Sequence, residues 1–221
     1  LEHARAQVAN LIGAKPEEIY FTAGGSESDN MALRGVVNAS NKEKKHIITT
    51  KIEHHAILHT AEYLEKKGVE VTYLEVFGRV RLEDVEKAIR PETILISVMF
   101  ANNEIGTIQP IREIGEIAKK HGILFHTDAV QGFLKVPFTA KTLGADLISV
   151  SSHKVHGPKG AGALYISPRL KSFPPLLLGG GQESGYRSGT EGTPAIFGFA
   201  AACAAIGPTW RQDSLREKAL I

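Results

Sequence analysis

Short runs rich in β-branched residues alternate with longer amphipathic stretches along the whole chain, and this alternation constrains the fold more than any other property. Strands are predicted at IYFT (19–22), HIITTK (46–51), VEVTYLEV (69–76), TILISVMF (93–100), ILFHT (123–127), DLISVS (146–151) and GALYI (162–166). Helical periodicity predicts helices near 26–38, 55–67, 82–89 and 111–121, the second followed by Gly68 and the last by Gly122. The opening LEHARAQVANLIG reads as a further helix closed by Gly13, and SLREKALI as the body of another. Such a pattern predicts an α/β fold: a mainly parallel, mixed seven-stranded sheet with helices on both faces. GALYI follows DLISVS too closely for a helical crossover, so that pair is expected to be antiparallel. The glycine-dense LLLGGGQESGYRSGTEG (176–192) is the expected mobile loop.

The chain has 221 residues, with 26 Lys and Arg against 24 Asp and Glu. Opposite charges are interspersed, which gives no basic patch for nucleic acid or an anionic membrane. No apolar run approaches the roughly 18 residues that a membrane-spanning helix needs. A cytoplasmic location is the expectation, or an organelle in a eukaryotic host. The single cysteine, Cys203, excludes an internal disulfide and lies in the Ala-rich run FAAACAAIG, where it reads as a small packed residue. Residues 1–221 read as one large domain cut from a longer protein, truncated at both ends.

In open α/β sheets ligands bind beyond the carboxyl ends of the strands, so the residues there are the candidates for function. After the first strand, TAGGSESDN places Gly24, Gly25 and Ser26 before a helix. They suit a phosphate cradle, and equally an ordinary turn with Ser26 as N-cap and Asp29 near the capping-box position. After the second, IEHHAILHT brings Glu53, His54 and His55; His54 can cap the helix, lie on the surface or stack on a flat ligand. His54 and His59 are five apart, which is not the spacing of a helical zinc pair. No metal site is expected. FANNEIGTIQPI gathers Asn102, Asn103 and Glu104, suited to a turn or to a ligand oxygen. HTDAVQG puts Asp128 and Gln131 beyond a buried run, where an acid needs a positive partner. SSHKVHGPKG follows the sixth strand; burial of Lys154 there would lower its pKa and make its amine nucleophilic, whereas Lys159 reads as a solvated loop residue.

Together FTAGGSESDN, IEHHAIL, ANNEIGTIQPI, HTDAVQG, SSHKVHGPKGAGALYI and GGGQESGYRSGT resemble, in order and spacing, the strand-end segments of cysteine desulfurases. These are pyridoxal 5'-phosphate enzymes of the class V aminotransferase-like family, with the fold type I large domain. The resemblance implies that Lys154 attaches the cofactor and then shuttles protons, that Asp128 pairs with the ring nitrogen and that Gln131 bonds the phenolic oxygen. It further implies that His54 stacks on the ring and moves protons, and that Gly25, Ser26, Ser151 and His153 hold the phosphate. Asn103 is placed near the cofactor oxygen and substrate carboxylate. Thr190, in RSGT, is implied to reach the phosphate site of a homodimer partner subunit. Family members often have Ala-Thr where this chain has Gly25-Ser26, a change that keeps the hydroxyl.

The implied reaction converts L-cysteine to L-alanine and an enzyme-bound persulfide, with a sulfur-acceptor or iron–sulfur scaffold protein as downstream partner. The family's attacking cysteine lies downstream of the lysine on a mobile loop, and Cys203 matches neither its context nor its position. The family's small C-terminal domain is likewise not represented in these residues. Two other readings stand beside the first: selenocysteine lyase, and a non-catalytic fragment that binds the cofactor or a partner subunit.

Overall fold

In the computed structural model, which describes residues 1–170 and 172–219, all seven expected runs form strands of one sheet. They are β1 (Ile19–Thr22), β2 (His46–Thr50), β3 (Glu70–Leu74), β4 (Thr93–Ser97), β5 (Leu124–Asp128), β6 (Leu147–Ser151) and β7 (Gly162–Ile166). Their spatial order is β1-β7-β6-β5-β4-β2-β3. The pairs β2–β3, β2–β4, β4–β5 and β5–β6 are parallel. β7 is antiparallel to both β6 and β1, as the short connection between β6 and β7 required. β2, β3 and β4 end earlier than their predicted runs, whereas β1, β6 and β7 end where expected and β5 runs one residue further, to Asp128. β4 stops at Ser97, although the amides of Val98 and Phe100 still donate to His126 and Asp128 of β5.

Side chains alternate across the sheet, and the alternation builds two cores. Ile47, Leu95, Leu147 and Leu164 face one layer, formed by α2 (Gly25–Ala39) and α3 (His55–Glu65). Ile48, Ile96, Phe125, Ile148 and Ala163 face the other. That second layer holds α1 (Glu2–Ile12), α4 (Leu82–Ala88), α5 (Ile111–Lys120), α6 (Ala140–Leu143) and α7 (Thr193–Ile206). The last helix, α8, spans Trp210–Lys218. Within α5, Ile111, Ile114, Ile117 and Ala118 are buried at helical spacing while Arg112, Glu116, Lys119 and Lys120 point outward. α1 ends as expected, with Gly13 left-handed at φ 68° and its amide returned to the carbonyls of Ala9 and Asn10. Among the described residues, no single helix is long and apolar enough to cross a membrane.

The glycine-rich segment 176–192 is not the loose loop its composition suggests. Glu183 is buried, and its carboxylate accepts from Arg5 Nη1 at 2.6 Å, Arg5 Nη2 at 2.9 Å and the Phe21 amide at 2.6 Å. Arg5 also donates to the Ile19 carbonyl at 2.8 Å. Glu183 thereby occupies a ladder position on the free edge of β1. A second tie joins Arg187 to Glu27, in the first turn of α2, at 2.7 Å.

Candidate active site

Because β7 reverses direction twice over, the carboxyl ends of β1, β2, β4, β5 and β6 share one edge of the sheet. Chain order changes direction between β2 and β4, the kind of switch point at which such sheets open a crevice. A cavity of about 320 Å³ lies there. Its lining includes Gly25, Ser26, His54, Asn103, Asp128, Gln131, Ser151, His153 and Lys154, nine of the ten residues singled out from the sequence. Thr190 lies apart, beside a separate depression with Phe21, Gly160, Glu183 and Arg187.

The wall from β1 and α2 is shaped by glycine. Gly24, the N-cap, has φ 154°, a conformation that residues with a Cβ rarely adopt. A Cβ on Gly162 would fall 2.7 Å from the Gly24 Cα, so both glycines are needed for the turn to lie against β7. Thr22 Oγ1 donates to the Gly24 carbonyl at 3.1 Å and exchanges a 2.8 Å hydrogen bond with Ser28 Oγ. Ser26 is therefore inside the helix and not its N-cap. Asp29 is not a capping-box residue either: it is 1% exposed and reaches the cavity floor.

His54 is the N-cap of α3, its Nδ1 accepting from the Ala56 amide at 3.1 Å. That bond leaves the neutral ring's proton on Nε2. Glu53 beside it is buried, its Oε1 accepting from Thr50 Oγ1 at 2.7 Å and from the Met99 amide at 3.0 Å. The two asparagines divide the readings left open for them. Asn102 builds the turn, its Oδ1 accepting from the amides of Glu104 and Ile105, while Asn103 lines the cavity.

Asp128 ends β5, 7% exposed, with Oδ1 accepting from the Val130 amide at 2.9 Å. Burial raises its pKa, opposed by that amide and by nearby His54. Gln131 Oε1 accepts from Lys135 Nζ at 2.6 Å, which directs the amide's donors elsewhere. Ser151 Oγ shares a 2.9 Å hydrogen bond with His153 Nδ1. Burial, and then the charges of Lys154 and Lys159, lower the His153 pKa.

Lys154 differs from its sequence-based description. It lies in a 3-10 turn, Ser152–Val155, three residues past the end of β6, and its side chain is exposed on the cavity wall. The burial invoked to activate its amine is absent, since Lys154 is exposed. The sequence reading missed Met99, Ala101 and Val130 in the lining and the role of Asp29. An acid three residues after a serine carries the same local pattern whether it caps or is buried, so only the helix phase, with Ser28 and Asp29 on the sheet-facing side, could have found it. Cys203 is 1% exposed on α7, away from the lining residues, and burial pushes its thiol up to about 12.

A seven-stranded mixed sheet with a polar crevice at its switch point defines the class. Residues 1–218 match the model of the aminotransferase class-V family, and the chain belongs to that family. Among its relatives, it is 57% identical over 198 residues to the cysteine desulfurase IscS of Methanosarcina thermophila, covering 89% of this chain and 49% of the relative. It is 49% identical over 224 residues to the mitochondrial cysteine desulfurase of Saccharomyces cerevisiae, covering 100% of this chain and 45% of the relative. Of solved structures, SspA in complex with cysteine superposes with a TM-score of 0.89 at 47% identity, over 92% of this chain and 59% of that one. A NifS-like protein gives 0.92 at 44% identity, over 99% and 62%. The chain spans about half the length of the curated relatives it matches.

Proposed function

We propose that residues 1–221 are the cofactor-binding large domain of a pyridoxal 5'-phosphate-dependent cysteine desulfurase, which converts L-cysteine to L-alanine and passes the sulfur on as enzyme-bound persulfide. The observation that carries the reading is the convergence of a buried acid, Asp128, with Lys154 and His54 on one cavity. The residues fit the cofactor. Among the described residues no side chain caps α2, whose first amides, with Gly25, Ser26, Ser151 and His153, form a cradle for a phosphate. A Cβ on Gly25 would stand 2.8 Å from Val130 Cγ2, so the cradle is close-fitting. Asp128, without a cationic partner among the described residues, suits a protonated ring nitrogen.

When bound, the cofactor supplies an electron sink for breaking bonds at the substrate's α-carbon. Lys154 would supply the amine that holds the cofactor's aldehyde, and its Nζ would hold and move a proton. Asp128 would keep the ring nitrogen protonated, and Gln131 would meet the phenolic oxygen with the amide donors left by Lys135. His54, its neutral ring's proton left on Nε2, would stack on the ring. Asn103 orients the substrate carboxylate. In this reading Cys203 is not the sulfur acceptor, because a buried thiol at about 12 supplies negligible thiolate near neutral pH. The accepting thiol then belongs to another part of the protein. A homodimer partner whose phosphate site Thr190 completes, and an iron–sulfur scaffold as sulfur recipient, complete the proposal. The cysteine named for SspA and the mitochondrial relatives support substrate and setting, the latter leaving both cytoplasm and organelle open to this chain.

Borohydride reduction of the cofactor-loaded chain, followed by peptide mapping, tests the assignment. The label is expected on Lys154 and is lost in Lys154→Ala. A label on Lys159 or another lysine would overturn it. Substrate choice is read in the complete enzyme by alanine formation from L-cysteine against L-selenocysteine, and turnover confined to the latter would replace the desulfurase with the lyase.

A further inference from the structure

Three carboxyl groups meet beneath the cavity, and the proposed function uses one of them. Asp29 comes from α2, Asp128 from the end of β5 and Glu53 from the segment between β2 and α3, with exposures of 1%, 7% and 5%. Asp29 Oδ1 and Glu53 Oε2 are buried and have no hydrogen-bond partner. Among the described residues no lysine or arginine pairs with any of the three. From β5, His126 Nε2 lies 3.7 Å from Asp29 Oδ1. Its ring is engaged by Ser97 Oγ of β4 at 2.8 Å and Ser149 Oγ of β6 at 3.0 Å, and burial lowers its pKa to about 3, so it brings no positive charge. Glu53 meets only the Thr50 hydroxyl and the Met99 amide. The other imidazole near the three acids is that of His54, and it lowers the Asp128 pKa.

Three like charges in one water-poor region repel one another, so protons must be distributed among them, and the surroundings decide where. Asp128 has the Val130 amide and His54 to support a negative charge, whereas Asp29 has only the Ser149 hydroxyl, with one oxygen left unpartnered and an uncharged histidine beside it. Burial raises Asp29 well above the ordinary carboxylate range, and the charge of Asp128 raises it further; burial pushes Glu53 up to about 8.

We propose that Asp29 and Glu53 are positioning residues kept as neutral carboxylic acids under the cavity floor, leaving Asp128 as the single carboxylate that faces the bound ring. The inference rests on the assignment of Asp128 to the ring nitrogen, but the neutral acids exist in the chain whether or not it is loaded.

Infrared spectroscopy of the cofactor-free chain at neutral pH reads them directly. The carbonyl stretch of protonated carboxylic acids is expected in the unmodified chain, with separate losses in Asp29→Asn and Glu53→Gln. Its absence from the unmodified chain would overturn the inference without need of any variant. In the loaded chain Asp29→Asn, which imitates the neutral acid, is expected to leave the pH midpoint of the cofactor's absorbance unmoved. A displacement of about one pH unit, a tenfold change in proton affinity, would show that Asp29 had carried charge and overturn the proposal. A carbonyl band in a chain that never attaches the cofactor would uphold the neutral acids and overturn the reading of the cavity instead.

Discussion

Replacing Glu53 with Gln tests how burial controls the floor of the site through stability alone. The Glu53 carboxyl is raised from 4.5 to about 8, first by desolvation, against the opposing Met99 amide and Thr50 hydroxyl. Between those values the folded chain keeps a proton that the unfolded chain has released. Stability from this group is thus fully present below pH about 4.5 and is lost as pH rises through about 8, at about 1.4 kcal/mol per pH unit. From pH 5.5 to 7.5 the loss is about 3 kcal/mol, and over the whole window it is on the order of 5 kcal/mol. Gln retains the acceptor oxygen and does not titrate. Its amide donors fall where Oε2 had no partner, so the variant starts lower by about 1–3 kcal/mol at acid pH. Urea unfolding followed by far-ultraviolet circular dichroism, repeated across this range, should show a flatter decline for Glu53→Gln. Asp29, Asp128 and the buried histidines titrate in both chains, so the difference between the two curves isolates Glu53. Parallel curves would refute the reasoning, because they would mean that Glu53 is ionised in the folded chain at neutral pH.

Arg5→Ala should cost about 3–5 kcal/mol, since Glu183 would be left buried with the Phe21 amide as its one remaining partner. The same variant should speed proteolytic cleavage within residues 176–192, and an unchanged cleavage rate would remove the anchoring role of the pair. Gly115→Ala would ordinarily favour a helix by about 1 kcal/mol. Here a Cβ would fall 2.2 Å from the Leu143 carbonyl oxygen, where α5 crosses α6, so a fall in Tm corresponding to about 1–3 kcal/mol is expected. A raised Tm would show that the two helices separate freely.

The sheet was legible because the strands are short β-branched runs closed by polar residues, and those closing residues supply the candidate site. Nine of ten candidates reached one cavity because strand ends on one edge must converge once the parallel order is set. What was not legible depends on partners distant in sequence. Glycine content made 176–192 look mobile, yet Glu183 is fixed by Arg5, 178 residues away, which no local pattern records. Lys154 looked like a strand-end residue because the polar run follows β6 directly, but Ser152 and Val155 turn inward and leave Lys154 on the surface of the cavity. The four-residue α6 was unpredicted, being too short for a periodicity; its local marks were the capping box at Thr139 and Thr142 and the left-handed Gly144 that closes it.

The two edges of the sheet treat buried polar groups differently, and the difference sets the carboxyl edge apart independently of any resemblance. At the amino edge, His46 opens β2 fully buried and is satisfied on both ring nitrogens, by Thr93 Oγ1 and Thr72 Oγ1 at 2.8 Å each. Asp146, just before β6, accepts from the Phe125 amide and from Arg169. At the carboxyl edge lie Asp29 Oδ1, Glu53 Oε2 and Ser152 Oγ, all buried without a partner, with Thr49 Oγ1 and Thr127 Oγ1 one residue before the ends of β2 and β5. Each such group costs about 1–3 kcal/mol relative to a satisfied one. A chain that satisfies its buried polar atoms at one edge has the means to do so at the other, and His46 shows that paired hydroxyls suffice. On the proposed reading, the unpaired oxygens of Asp29 and Glu53 are stability given up to concentrate acid groups under the cavity, where Asp128 stays ionised while its neighbours do not.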